Sequence, residues 1–245
     1  MFRVIPALCF LFLTFSEVNG DDSLYKFEGI LGQPVKEINN MNVNGKAFIP
    51  YNPVVVEIGS HEGNGLSYFV DAYPYGKIYA FEPRPNAYRI LKKKFQEKKN
   101  VTVLNCAVGA KSEKVKLYIP LDDMLNSSLL KSFEDFHNHA VLEVSCVNLR
   151  EWCFENHIDH IDFLRLDTNG TEFQIIQSAP DIIDQVTVIV TKTYFHKPRK
   201  GMVPYHILKS FLEEKGFEML SHWYKEGCEG EATFIRKEIY DAMFR

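Results

Sequence analysis

Long hydrophobic runs are scarce in this chain of 245 residues. The only extended one, Val4 to Phe15, is about 12 residues. A bilayer-spanning helix needs ~20, so no later segment reads as membrane-spanning. Excess positive charge is missing as well. The formal net charge is -4 and the pI about 6.1, which leaves no general basic field and argues against a nucleic-acid partner. Lys92, Lys93, Lys94, Lys98 and Lys99 do cluster, and they read as the solvated face of one helix. Cysteine is sparse. With Cys9 inside the N-terminal apolar run, Cys106, Cys146, Cys153 and Cys228 remain, and no pair has metal-ligand spacing. That even remainder permits up to two disulfides in three connectivities. Reduced, structural thiols are the preferred reading, because Cys106 and Cys146 sit in apolar strand-like runs. Internal repeats and low-complexity tracts are absent, which sets aside solenoids and disordered linkers.

What is present is the composition of a soluble globular protein, 46% hydrophobic and 24% charged, long enough for one sizeable core. Met1-Phe2-Arg3, the apolar run and Val18-Asn19-Gly20 follow the three-part plan of a secretory signal. A cleaved signal is favoured over an uncleaved anchor or a buried N-terminal segment. Residues 1–20 are therefore set apart as signal or anchor, 21–52 as a lead-in, 53–237 as the main domain and 238–245 as a C-terminal tail. Export or membrane association through this N-terminus is the expectation, with a cytoplasmic location otherwise.

The densest information lies between Pro53 and Leu91. A β-branched run, Val54-Val55-Val56, ends at Glu57 and meets a turn containing Gly59, Gly63 and Gly65 before a helix-like segment from Leu66 to Tyr73. A second apolar run, Ile78 to Phe81, ends in Glu82-Pro83. Glycine lets the backbone turn tightly and approach a ligand, and an acid at the tip of the next strand can accept hydrogen bonds from ribose hydroxyls. Beyond this unit strand and helix patterns alternate. Strands are expected near 54–58, 77–82, 101–108, 161–167 and 186–192, and helices near 64–73, 85–98, 148–157, 171–178 and 204–215. Such alternation predicts a Rossmann-like, doubly wound α/β domain with a mostly parallel sheet. Further strands near 114–119 and 141–147 bracket a polar loop. Runs at 217–223 and 232–236 flank a turn from Glu226 to Gly230, making the last strand antiparallel.

The loop Glu57-Ile58-Gly59-Ser60-His61-Glu62-Gly63 lacks the glycine spacing of a dinucleotide fingerprint. An acid at its start suits an ammonium better than a pyrophosphate. A ligand with an ammonium, a carboxylate and an adenosine would use Glu57 and Glu82 together, and S-adenosylmethionine is such a ligand.

The blocks VVVEIGSHEGNG, KIYAFEPRPNAYRILKKKF, VTVLNCAVG, NSSLLKSF, IDFLRLDTNGTEFQIIQSAP and FLEEKGF, taken in order, resemble the FkbM-type family of class I S-adenosylmethionine-dependent methyltransferases. The resemblance runs from about Val54 to Arg236. It implies the seven-stranded class I sheet with an antiparallel last strand. It implies that Glu57, Gly59, Ser60 and Gly63 surround the cofactor's methionine part, that Glu82 binds its ribose, and that Asn105, Cys106 and Ala107 lie by the adenine. Asp167, at the end of the fourth strand, becomes the leading candidate for holding or deprotonating the acceptor, with His196 as the alternative base. Ser127, Asn169, Lys192 and Tyr194 are expected to line the acceptor pocket, with Asn126-Ser127-Ser128 in a loop closing over the cofactor. His61 and Glu172 are read as a loop side chain and a helix N-terminal residue.

Two positions depart from the family's pattern. Its members usually carry Glu or Gln where this chain has Asn169, and commonly end the fifth strand with an acid where it has Lys192. The leading reading is an O-methyltransferase for a hydroxyl of a sugar, glycolipid or small metabolite, a small-molecule or glycan acceptor. The alternative is an exported interaction protein that kept the scaffold and lost catalysis. Asn100, Asn126 and Asn169 each begin an Asn-x-Ser/Thr sequon, and a glycan on Asn169 would block the expected site.

Overall fold

The computed structural model describes residues 25–29, 42–43, 46–132, 139–196, 199–225 and 228–244. The expected signal or anchor, residues 1–20, lies outside these. Strands β1 (Tyr25–Gly29), β2 (Asn42–Val43) and β3 (Lys46–Ala47) precede the main domain. It continues through β4 (Val54–Ile58), α1 (Asn64–Ala72), β5 (Lys77–Phe81), α2 (Pro85–Lys94) and β6 (Val101–Leu104). Then come β7 (Ala107–Gly109), β8 (Glu113–Pro120), β9 (His139–Asn148), α3 (Leu149–Glu155) and β10 (Ile161–Leu166). The chain ends with α4 (Glu172–Ser178), α5 (Pro180–Ile183), β11 (Val186–Tyr194), α6 (Tyr205–Glu214), β12 (Phe217–Lys225), β13 (Glu229–Arg236) and α7 (Lys237–Phe244).

The large sheet has the order β1-β12-β13-β11-β10-β4-β5-β6. Pairings across β6, β5, β4, β10 and β11 are parallel, and β13 is antiparallel to both β11 and β12. These seven strands form the expected mostly parallel sheet with its antiparallel last strand. The lead-in adds an eighth, because β1 pairs antiparallel with β12 at the edge. The expected strand 101–108 is broken in two. After Leu104 the chain leaves the large sheet, and β7 joins β9 and β8 in a separate three-stranded sheet. Asn105 marks the break, its side chain donating to the carbonyls of Glu82 (2.9 Å) and Pro83 (3.2 Å).

Strand β4 is buried along its whole length, as is β10, which suits central strands covered on both faces. Alternation sorts their side chains. Val54, Val56, Ile58, Leu164 and Leu166 join the core under α3, α4 and α6, whereas Val55 and Phe163 join the core under α1. Glu57 and Arg165 are register neighbours on that second face and form an ion pair of 2.8 Å. Each would be an unpaired buried charge without the other. The expected C-terminal tail is helix α7, and its Ile239, Tyr240 and Met243 pack against the α1-side core. Among the described residues no helix is long and apolar enough to cross a membrane.

Candidate active site

Parallel strands end on one edge of the sheet, where ligands of open α/β folds bind. Here that edge carries a cavity of about 610 Å³, well within the range of small-molecule sites. Its walls include Gly59, Ser60, Glu82, Cys106, Ala107, Ser127, Asp167, Asn169 and Lys192. Five of the eight expected cofactor residues and three of the four expected acceptor residues thus face one space. Glu57, Gly63, Asn105, Tyr194 and His196 do not line it.

The loop after β4 is shaped by its own backbone. The amides of Gly59 and Ser60 both donate to the Phe81 carbonyl at 2.9 Å, tying the loop to the tip of β5. Gly59 has φ +88°, and a Cβ there would stand 2.0 Å from the Asp167 carbonyl oxygen. Only glycine fits that crossing of two strand ends. Glu82 is almost fully buried and accepts from the amides of His61 and Arg84, each at 2.8 Å. Burial raises its pKa above the ordinary carboxylate value, opposed by Arg84 and the His61 amide. Glu57 sits beneath the loop. Burial pushes its pKa up against the pull of Arg165, and its Oε2 has no partner among the described residues. Gly65 leaves room for the pair, since a Cβ there would press on both Glu57 and Arg165.

The opposite wall is polar and interlocked. Arg165 reaches Glu57 (2.8 Å), Glu231 (3.1 Å) and Asp167 (3.5 Å). Burial works against its charge, but Glu231, Glu57 and Asp167 outweigh it and hold the guanidinium above its usual value. Lys192 donates to Asn169 Oδ1 (2.9 Å) and lies near Glu229 (3.3 Å) and Asp167 (3.9 Å). Burial opposes that charge too, and Asp167, Glu229 and Glu172 overcome it. The two departures noted in the sequence therefore touch. Tyr194 stands behind them, its hydroxyl 3.4 Å from Asn169 Oδ1. Glu172 opens its helix, as read from the sequence, and also holds the loop before it, its two oxygens accepting from the Thr168 and Gly170 amides at 2.9 Å, and burial raises its pKa to about 7. His196 is exposed and outside the cavity, so of the two candidate bases only Asp167 lines it.

Sequence reasoning missed Arg165, Glu229, Glu231, Thr168 and Thr171 as lining residues. Glu229 was assigned to a hairpin loop but belongs to β13, whose register opposite Tyr194 and Lys192 brings Glu229 and Glu231 to the wall. Thr168 and Thr171 leave buried hydroxyl oxygens without partners among the described residues, free to bond a ligand. The cavity's side chains supply five carboxylates against three cations, an excess that suits a positively charged ligand. Among the described residues no group of three or more His, Cys, Asp or Glu could hold a metal ion. Cys106, Cys146, Cys153 and Cys228 are all free thiols, and burial raises the pKa values of Cys106 and Cys146 to about 11.

This sheet order, with a cavity at the parallel strand ends, defines a Rossmann-like methyltransferase fold. A solved structure, methyltransferase FkbM from Methylobacillus flagellatus KT, superposes with a TM-score of 0.51 at 12% identity. It is matched over 80% of the present chain, which spans 47% of that protein's. Residues 57–219 match the model of the methyltransferase FkbM domain, and the chain belongs to that family. Among curated proteins it is similar to 2-O-methyltransferase NoeI of Sinorhizobium fredii, 21% identical over 77% of this chain and 81% of the relative. It is also similar to methyltransferase sdnD of Sordaria araneosa, 25% identical over 75% of this chain and 81% of the relative.

Proposed function

We propose that the protein is an S-adenosylmethionine-dependent O-methyltransferase acting on a hydroxyl of a sugar, glycolipid or small metabolite. The observation that carries the reading is the joining of the Gly59 loop, Glu82 and Asp167 in one cavity at the parallel strand ends. The residues fit the cofactor's chemistry. S-adenosylmethionine is a net cation with an ammonium and a ribose, and the wall offers excess carboxylate and an acid at the β5 tip. When bound, it supplies a methyl group on a sulfonium, open to in-line attack by an oxygen. Glu82 holds ribose hydroxyls, and the Gly59 loop lets the backbone come close. Asp167 would accept the hydrogen bond of the acceptor hydroxyl, orient its oxygen and take its proton as the methyl's bond to sulfur is exchanged for one to that oxygen. Arg165 and Lys192 keep Asp167 in place. The 2-O-methyltransferase name of one relative supports a hydroxyl acceptor.

The test is calorimetric titration of the chain from Asp21 to Arg245 with S-adenosylmethionine and S-adenosylhomocysteine. Micromolar binding is expected. A folded chain that binds neither would instead favour a scaffold that has lost catalysis.

A further inference from the structure

Four successive carbonyls of one loop are each taken by a side chain from elsewhere in the molecule. Arg84 donates to Met124 O (2.9 Å), Asn169 to Leu125 O (2.8 Å) and Ser127 O (3.0 Å), and Arg199 to Asn126 O (2.7 Å). The loop answers with Ser128 Oγ, which donates to the Asn169 carbonyl at 2.8 Å. We infer that Asn169 is a positioning residue: it latches the segment Leu121–Ser132 over the cavity as a lid and ties that lid to the acceptor wall, with Arg84 and Arg199 as flanking clasps.

The orientation of the Asn169 amide is set by its neighbours rather than by choice. Its Oδ1 receives Lys192 Nζ at 2.9 Å and lies 3.4 Å from the Tyr194 hydroxyl, so the NH₂ must point at the lid carbonyls. Both amide hydrogens are then committed, which leaves none for an acceptor while the lid is shut. The backbone supports the same geometry. Asn169 has φ +56°, a conformation that Asn tolerates better than most side chains. Being buried and fully bonded, this amide is also closed to modification in the folded protein, although it begins a sequon.

The three clasps come from three different walls. Arg84 follows Glu82 at the tip of β5, Asn169 follows Asp167 after β10, and Arg199 follows β11. Lid residues Asp123, Leu125, Ser127 and Ser128 line the cavity, so breaking these bonds would uncover that side of it. Arg84 also touches Glu82, and Lys192 also approaches Asp167. Lid closure therefore reports on both halves of the site. Its catalytic meaning rests on the proposed methyl transfer, but the latch itself does not.

The experiment is amide hydrogen exchange of the ligand-free full chain, with Asn169→Gly, Asn169→Asp and Arg199→Ala as variants. Glycine keeps the positive φ and loses the amide, and aspartate keeps the shape and replaces donors by acceptors. Exchange in residues 121–132 should rise ~10-fold or more in both, as two hydrogen bonds are lost, while β4 and β10 stay protected. In the same variants release of S-adenosylhomocysteine should quicken by a similar factor. Unchanged exchange of the lid in Asn169→Gly would overturn the latch. If both Asn169 variants fail to fold, Arg199→Ala decides: faster lid exchange supports the latch and unchanged exchange removes it. Wild-type protein that fails to bind cofactor would sink the proposed function while leaving the exchange result intact.

Discussion

The two walls of the cavity are built by different means. On the Gly59–Glu82 side the groups lie within about 25 residues of one another, and the backbone does the positioning: two amides to the Phe81 carbonyl, two amides to the Glu82 carboxylate. On the Asp167–Lys192 side the groups come from the ends of β10, β11 and β13, as far apart as Arg165 and Glu231, and are held by charge. A local unit tolerates little change in backbone shape but depends on few distant contacts. The charged wall tolerates backbone variety but fails when one partner is removed. The same cavity can thus keep its Gly59–Glu82 wall while its Asp167–Lys192 wall diverges.

Breaking the division of labour should give the largest effect. Asp167→Ala is expected to leave cofactor affinity intact yet cut methyl transfer by roughly 10²–10⁴-fold, the range for a positioned acid–base group. Glu82→Ala should do the opposite and abolish cofactor binding in calorimetry. Full turnover in the first, or undiminished affinity in the second, would dissolve the distinction between the walls.

Removing the central cation comes next. Arg165→Met strands the fully buried Glu57 and should cost about 3–5 kcal/mol in urea unfolding. Adding Glu57→Gln should restore part of that loss. A double variant no more stable than the single would show that the two residues are not a unit. On the local wall, Gly59→Ala forces a Cβ against the Asp167 carbonyl at positive φ. It should cost roughly 3 kcal/mol, as strain of that kind commonly does, and weaken cofactor binding. Wild-type stability and affinity would show that the loop can rearrange.

The smallest effect sharpens the comparison through pH. Glu172 has a folded pKa of about 7 against an ordinary 4.5, so the folded protein holds this proton more tightly than the unfolded chain does. Its contribution to stability is fully present below pH 4.5 and is lost as pH rises through 7. Glu172→Gln should therefore reduce the fall in stability between pH 5 and 8 by on the order of 2 kcal/mol. Glu57, Glu82 and Glu231, raised in the same direction, keep the remainder of the slope. Parallel denaturation curves for the two proteins across that range would place the Glu172 titration elsewhere.

Much of the local wall was legible in the sequence, because Val54–Ile58, the glycine turn and Glu82 form one βα unit whose shape follows from glycine and burial pattern. The place of Asp167 on the cavity was legible for a related reason: it ends a buried strand, and the cavity lies at the strand ends. Glu57 was singled out for the right loop, but its role depends on Arg165. A Glu and an Arg 108 residues apart announce nothing until the parallel register of β4 and β10 sets them side by side. Glu229 and Glu231 escaped notice because a polar, glycine-containing stretch reads as a turn, whereas pairing with β11 extends it as a strand. His196 attracted attention because it follows Lys192 and Tyr194 at the end of a strand, but the chain carries it past the cavity to the surface.

What the amino-acid sequence determined by itself is the repeating strand–helix order, the two buried central strands and the glycine-shaped loop, since these follow from periodicity and from steric limits within a few residues. Only the tertiary structure decided which charges neutralise one another, that Asn169 and Lys192 meet, and that the lid carbonyls find three clasps. Those are contacts between distant segments. They form between paired polar groups whose attraction is strengthened where water is excluded, and no such exclusion exists until the sheet has assembled.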